Sequence, residues 1–293
     1  MRALFLKQAG DPPVLEVRDV PIPKPAPNQV LVRVTACGFC HHDRSVMAGV
    51  LRRGVAPDVV LGHEISGVVE TTGSSVTGLV AGDKVVSILT EACGSCDRCA
   101  VGREHRCRQG QGIGHSRNGG FAEYVALSEY SLVKLPDGLD PVSSALLACP
   151  MGVGLHAVQV TAQVKPGETV VVTGAGGGLG SHAVQAAAAL GARVLAVSSS
   201  PDKEAALLGL GASEVLVDNG LDFAELVMAL TEDEGADVVV DTVGSALYPS
   251  TLRSLAQYGR LVLLGEIVGE NVSLNPAEVI FRDATVLGAS GVS

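Results

Sequence analysis

The cysteines and histidines of this chain fall into two groups whose spacing suits a metal. In the first, Cys93, Cys96, Cys99 and Cys107 are separated by two, two and seven residues. Four thiolates at this spacing suit a closed tetrahedral zinc site, which structures a loop and leaves no position open for chemistry. The same residues could be free or disulfide-paired, or could hold an iron–sulfur cluster. The second group is dispersed. Cys37, Cys40, His41, His42 and Asp43 follow a strand pattern, His63 and Glu64 lie some twenty residues on, and Cys149 precedes Pro150. A zinc held by two thiolates and one imidazole keeps a fourth position for water or a substrate oxygen, and Asp43 and Glu64 are natural partners to orient a ligand. A buried Cys is more often a small core residue than a ligand, and a lone His is usually structural, so spacing alone leaves this set open.

A third stretch could hold a nucleotide. Val170-Val171-Val172-Thr173 runs into Gly174-Ala175-Gly176-Gly177-Gly178-Leu179-Gly180, five glycines in seven positions, and then into an Ala-rich helical pattern. Binding a pyrophosphate requires that order: glycines let the backbone approach the phosphates, and a helix start offers free N–H groups with a partial positive charge. The spacing is Ala175-x-Gly177-x-x-Gly180, and such turns also occur with no ligand.

The surrounding elements raise the odds. The pattern predicts helices near 178–190, 201–210, 221–230 and 246–256, alternating with strands near 193–197, 214–217, 236–241, 260–264 and 284–287. Short apolar strands alternating with helices predict a parallel sheet covered on both faces, and six strands in two halves fit a doubly wound dinucleotide-binding domain. Residues 1 to about 135 differ. Strands are expected at 14–17, 30–34, 66–69, 84–88 and 121–126, and four alternate prolines from Pro21 to Pro27 make an extended connector. This half is β-rich with irregular loops.

Composition bounds the function. Hydrophobic residues make up 47% and charged residues 18% of 293 residues, which fits a globular chain with room for two cores. A net charge of −10 without a basic block argues against nucleic-acid binding. No apolar run is expected to span a membrane, and Lys7 and Gln8 close the N-terminal apolar run too early for a signal peptide. With tightly spaced cysteines, this makes a cytoplasmic location the expectation.

Taken together, Gly38-Phe39-Cys40-His41-His42-Asp43, Gly62-His63-Glu64, the four-cysteine loop, Gly119-Gly120-Phe121-Ala122-Glu123-Tyr124 and the glycine turn occur in the order seen in zinc-dependent medium-chain alcohol dehydrogenases. The resemblance covers the whole chain. It implies an α/β two-domain protein: a GroES-like catalytic domain over 1–152 with its zinc loop at 93–107, a Rossmann domain over 153–293, and an active site between them. Carried over, Cys40, His63 and Cys149 look like catalytic zinc ligands, with Glu64 close by or exchangeable. Cys93, Cys96, Cys99 and Cys107 match the structural zinc loop, and Cys37 matches no ligand. His41 sits where the family often places a cofactor-phosphate contact, and His42 where it usually starts a proton relay with Ser or Thr. The chain resembles zinc-containing enoyl-CoA reductases, such as the acryloyl-CoA reductases, about as well. Family chains usually run on past the position of Ser293, so a truncated chain or a shorter gene product is expected.

The leading expectation is a zinc- and nicotinamide-dependent oxidoreductase acting on an alcohol, aldehyde or ketone, as a homodimer or homotetramer with two zinc ions per chain. The alternatives are an NADPH-dependent enoyl-CoA reductase and, from another class, a non-catalytic nucleotide-binding zinc protein. NADPH is expected over NADH, because the second strand of the dinucleotide domain ends in Ser198-Ser199 with Lys203 beyond. No carboxylate there repels a 2′-phosphate, although Asp202 pulls the other way. Leu51, Arg52, Arg53 and Phe39 are guesses for the substrate pocket.

Overall fold

The computed structural model describes residues 1–217 and 222–291. The chain divides into two compact units, Met1–Cys149 with Gly291, and Pro150–Ser290.

The first unit is built from β1 (Arg2–Gln8), β2 (Val14–Asp19), β3 (Gln29–Gly38), β4 (Val59–Val60), β5 (Glu64–Thr72), β6 (Lys84–Ser87), β7 (Thr90–Glu91), β8 (Gln111–Gly112), β9 (Tyr124–Ser128) and β10 (Leu132–Lys134). Five of these make an antiparallel sheet in the order β10-β6-β5-β3-β9, and β2-β1-β4 form a smaller one. Alternating valines of β3, with Ile65, Val69, Val85, Val125 and Leu127, fill its core, as expected when one face of an antiparallel sheet is buried. Pairing of Gly38 with Glu64 ends the β3–β5 ladder, so residues 39–43 and 63–64 leave the sheet side by side.

The second unit carries β11 (Thr169–Thr173), β12 (Arg193–Ser198), β13 (Glu214–Val217), β14 (Ala236–Asp241), β15 (Leu255–Leu263) and β16 (Thr285–Gly288). They pair in parallel in the order β13-β12-β11-β14-β15-β16. This is the doubly wound order 3-2-1-4-5-6, with its switch point between the first and fourth strands, β11 and β14. Separate apolar clusters cover the two faces. Helix Gly178–Ala189 starts directly after the glycine turn. A side chain on Gly180 would stand 2.3 Å from the Gly174 carbonyl, so only glycine lets this helix lie so close to its strand.

The bounds of several elements differ from the sequence pattern. Strand β9 begins at Tyr124 rather than at Phe121, because the N–H groups of Gly119, Gly120 and Phe121 donate to carbonyls of Val60, Gly62 and Leu61. The helix expected over 246–256 is Tyr248–Arg253, since Leu255 already pairs with Ala236. The helix expected from residue 221 runs from Phe223 to Leu230, and Leu221 lies outside the described residues.

A helical stretch, Ser143–Thr161, has no counterpart in the sequence pattern. By length and composition (19 residues, mean hydropathy 1.3) it is long and apolar enough to cross a membrane, unlike the runs weighed from sequence. Core helices share that property, and its Ala145, Ala148, Val153, Ala157 and Val158 are buried. Its turns widen to the π form over Leu147–Gly152 and His156–Thr161. Pro150 lies inside the first and has no N–H for the regular i−4 bond. Cys149 lies within this widened turn.

Candidate metal centre and nucleotide-binding turn

Cys40 caps the helix His41–Met47, and its N–H donates to Asp43 Oδ2 at 2.9 Å. The other oxygen of this fully buried carboxylate accepts from Gly62 N–H at 3.2 Å and stands 3.4 Å from His63 Nδ1. The second contact is close enough for charge to act, though it is not aligned as a hydrogen bond. Glu64 follows at the start of β5. A side chain on Gly38 would stand 2.0 Å from Glu64 Oε2, so the glycine at the end of β3 makes room for this carboxylate. From the other end of the unit, Cys149 brings its Sγ to 3.7 Å from that of Cys40.

Ligand atoms of Cys40, His63, Glu64 and Cys149 all lie within 4.8 Å of one another. The sulfur separation tests the fit to zinc. Tetrahedral thiolate ligands at about 2.3 Å from a common ion stand about 3.8 Å apart, whereas a disulfide joins sulfurs at about 2 Å. The observed 3.7 Å matches the first. Electrostatics agree. Cys40 is pulled down to about 4 by the Cys149 thiol donating to it, and then by His63, while Cys149 is pushed up in return by Cys40 and by burial. Burial would lower His63, but Asp43 and Cys40 carry it to about 10. Burial and the charge of Cys40 lift Glu64 to about 7. Two acids, Cys149 and Glu64, that hold on to their protons beside the Cys40 thiolate are the electrostatics of a place shaped for a cation.

In the second cluster, Sγ separations are 4.0 Å for Cys93–Cys99, 3.5 Å for Cys96–Cys99, 3.9 Å for Cys96–Cys107 and 3.5 Å for Cys93–Cys107. These are tetrahedron edges again, with no sulfur pair at disulfide distance among the described residues. Arg98 donates to the Arg106 carbonyl at 2.8 Å and Asp97 accepts both arms of Arg108, which braces the loop around the four thiols. Cys93 is drawn down to about 6, chiefly by the N–H of Ser95.

His42 lies beside the first cluster with its ring edge-on to His63, centroids 5.0 Å apart. Burial pulls it down to about 4, so it is neutral near pH 7. His41 is exposed at the first helical position, and Phe39 is exposed beside Phe121. Cys37 lies against Gly62 and Gly120, and burial pushes its thiol up; it joins neither cluster. A residue that the spacing argument passes over is His115, whose ring centroid is 5.1 Å from that of His42. Its loop is held by backbone contact: a side chain on Gly114 would stand 2.7 Å from Gly62 N, and one on Gly119 2.0 Å from Gly62 O. The signal available in the sequence was its place four residues before Gly119-Gly120-Phe121.

In the second unit the turn has Gly174 at φ 60°, Ala175 N–H bonded to Val197 O, and Gly177 as the helix cap. Gly178 has open space where a side chain would stand, and Leu179 is half-buried in the first helical turn. Ser198 is buried, and its hydroxyl is engaged with Ser200. Ser199 is exposed. Lys203 reaches back over the turn, its Nζ 2.6 Å from the Gly176 carbonyl.

Comparison with known proteins agrees with this geometry. Residues 26–137 match the alcohol dehydrogenase GroES-like domain and residues 178–293 the zinc-binding dehydrogenase domain. An acryloyl-coenzyme A reductase of Sulfurisphaera tokodaii is 34% identical over 93% of this chain and 80% of its own length. An NAD-dependent alcohol dehydrogenase of the same organism is 34% identical over 99% of this chain and 85% of its own. The crystal structure of an NAD-dependent alcohol dehydrogenase superposes with a TM-score of 0.93 at 36% identity, covering 100% of this chain and 85% of that one.

Proposed function

Because the chain belongs to the zinc-type medium-chain dehydrogenases and reductases, which are nicotinamide-dependent oxidoreductases, we propose that it interconverts an alcohol with its aldehyde or ketone. The observation that carries this is the convergence of Cys40, His63, Glu64 and Cys149 within 4.8 Å. A zinc held by the Cys40 and Cys149 thiolates and the His63 imidazole would keep a fourth position, open to Glu64 or to a substrate oxygen. When bound, zinc polarises that oxygen and the nicotinamide gives or takes a hydride. Asp43 orients His63 from behind, and His42 offers a neutral ring to hydrogen-bond the reacting group. Residues 1–152 form the catalytic domain in this reading, and residues 153–293 the cofactor domain.

The finer assignments follow from the same residues. Cys93, Cys96, Cys99 and Cys107 hold a second, closed zinc, for two ions per chain. Gly174, Gly176, Gly177, Gly178, Leu179 and Gly180 receive the pyrophosphate, and His41 contacts a cofactor phosphate. NADPH is preferred, with Lys203 and Ser199 toward the 2′-phosphate and Ser198 shaping the loop from inside, even though the alcohol dehydrogenase relatives are named NAD-dependent. The chain acts as a homodimer or homotetramer in the cytoplasm.

A second reading, reduction of an enoyl thioester, is favoured by the likeness to acryloyl-coenzyme A reductase and by His42 where the resemblance has Ser or Thr. The two readings separate by metal dependence. Hydride addition to a carbonyl carbon builds charge on the oxygen that a metal polarises, whereas addition to a double bond places hydride on a carbon remote from it. Aldehydes, ketones, alcohols and enoyl thioesters are assayed with NADPH in wild type, His63→Ala and His42→Ala. Carbonyl reduction that vanishes in His63→Ala, and slows in His42→Ala with metal retained, supports the first reading. Turnover of enoyl thioesters alone, or full carbonyl activity in His63→Ala, replaces it with the second.

A further inference from the structure

His115 Nε2 lies 2.9 Å from the Arg53 carbonyl oxygen. A carbonyl can only accept, so Nε2 carries the proton and Nδ1 of the neutral ring is left as an acceptor. That Nδ1 is buried without a hydrogen-bond partner among the described residues, and so is Nδ1 of His42. The two rings are tilted by 45° with centroids 5.1 Å apart. An N–H···N bond of about 2.9 Å joining two imidazoles sets their centres about 5 Å apart. The ring centres therefore stand at the separation such a bond would give, although the two Nδ1 atoms are not bonded to each other in this arrangement. One bond, from His42 Nδ1–H to His115 Nδ1, would satisfy both buried atoms.

We propose that His115 is a positioning residue for His42. The Arg53 carbonyl fixes the tautomer of His115, His115 fixes that of His42, and His42 Nε2 is left as the acceptor. The support behind His115 is rigid. Its carbonyl accepts from Ala56 N–H at 2.8 Å, Gly112 N–H donates to Ser116 Oγ at 2.8 Å, and Gly119 N–H donates to the Val60 carbonyl at 2.7 Å. The same loop packs its backbone on Gly62, the residue before His63. Imidazole and metal ligand thus share one frame. The inference deepens the function proposed above and rests on it for the task of His42, but not for the tautomer.

The test uses the full chain reconstituted with zinc and labelled with 15N at histidine. Imidazole nitrogen shifts show which atom of His42 carries the proton. Wild type is expected to show Nδ1–H at His42. His115→Phe, which keeps a ring and removes the acceptor, is expected to give a mixture of tautomers, with kcat about tenfold lower and KM within twofold. His115→Asn returns an acceptor near the Nδ1 position and is expected to restore most of both. Unchanged His42 shifts in His115→Phe overturn the proposal, as does an Asn variant impaired as badly as the Phe variant. The shifts are read without turnover, so failure of the carbonyl substrates leaves this result standing or falling by itself.

Discussion

Asp43 Oδ1 stands 3.4 Å from Nδ1 of His63, while the same carboxylate accepts from the backbone N–H groups of Cys40 and Gly62. One buried acid thus places its charge against one candidate ligand and holds the backbone beside two. Burial would raise Asp43, but His63 and these N–H groups hold it below its ordinary range, so the charge that orients the ring persists at neutral pH. Removing that charge loosens the ligand. In Asp43→Asn, zinc affinity at the first cluster is expected to fall about 10–100-fold. Competition with a chromogenic chelator measures it, and an unchanged affinity refutes the role.

The two clusters predict different losses. Cys96→Ser leaves three thiolates around a loop with little core of its own, so lower thermal stability and solubility are expected. Cys40→Ser is expected to remove the other ion and most activity with little unfolding, because sheet and helix hold that region. Metal analysis beside calorimetry distinguishes them. One zinc in wild type, or iron with visible absorbance, defeats the two-zinc assignment.

Lys203 carries the cofactor prediction. Its ammonium sits on the Gly176 carbonyl, within the turn proposed to receive phosphate. A charged contact to a 2′-phosphate is worth about 1.5 kcal/mol when, as here, the side chain is exposed, so Lys203→Ala is expected to raise KM for NADPH roughly tenfold and to change that for NADH little. Equal effects on both cofactors, or tighter NADH binding in wild type, contradict the assignment.

Acid sensitivity is expected from Glu168, which pairs with Arg260 at 2.6 Å and accepts from Lys165 N–H. Burial opposes, but Arg260 and that N–H lower its pKa. A lowered carboxyl stabilises the fold above its unfolded pKa and loses that contribution as pH falls through the folded value. Glu168→Gln is expected to cost roughly 1–2 kcal/mol at pH 7 and to narrow the gap to wild type below about pH 4. Denaturant titrations at both pH values measure this, and a gap that does not vary with pH contradicts it.

Much of the dinucleotide unit was legible in the sequence because its strands are short, β-branched and bounded by glycine. The order from β11 to β16 follows from alternation and the handedness of parallel crossovers. The β-rich half was less so. Arg2–Gln8 hides its period in a terminus, and Phe121 looks like strand while its N–H serves the Val60–Gly62 loop. The helix Ser143–Thr161 was missed because Gly152, Gly154 and Pro150 interrupt its pattern, and tertiary packing overrides those breakers. The clustering of Cys40, His63, Glu64 and Cys149 could be expected only by resemblance, since 109 residues separate the two sulfurs. His115 carries only a positional signal, its place just before Gly119-Gly120-Phe121, because one histidine in a glycine loop has no period.

The bare backbone contact between Gly62 and the loop at Gly114 and Gly119 also governs how this centre can change. Side chains there would collide with main-chain atoms, at 2.7 Å from Gly62 N and 2.0 Å from Gly62 O, and no rotamer relieves a clash with backbone. Drift by ordinary substitution is blocked on that side of His63. Across the same loop, Arg53 offers only its carbonyl to His115 and leaves its own side chain exposed. A mutational library spread over the loop would therefore tolerate change at Arg53 and reject it at the glycines.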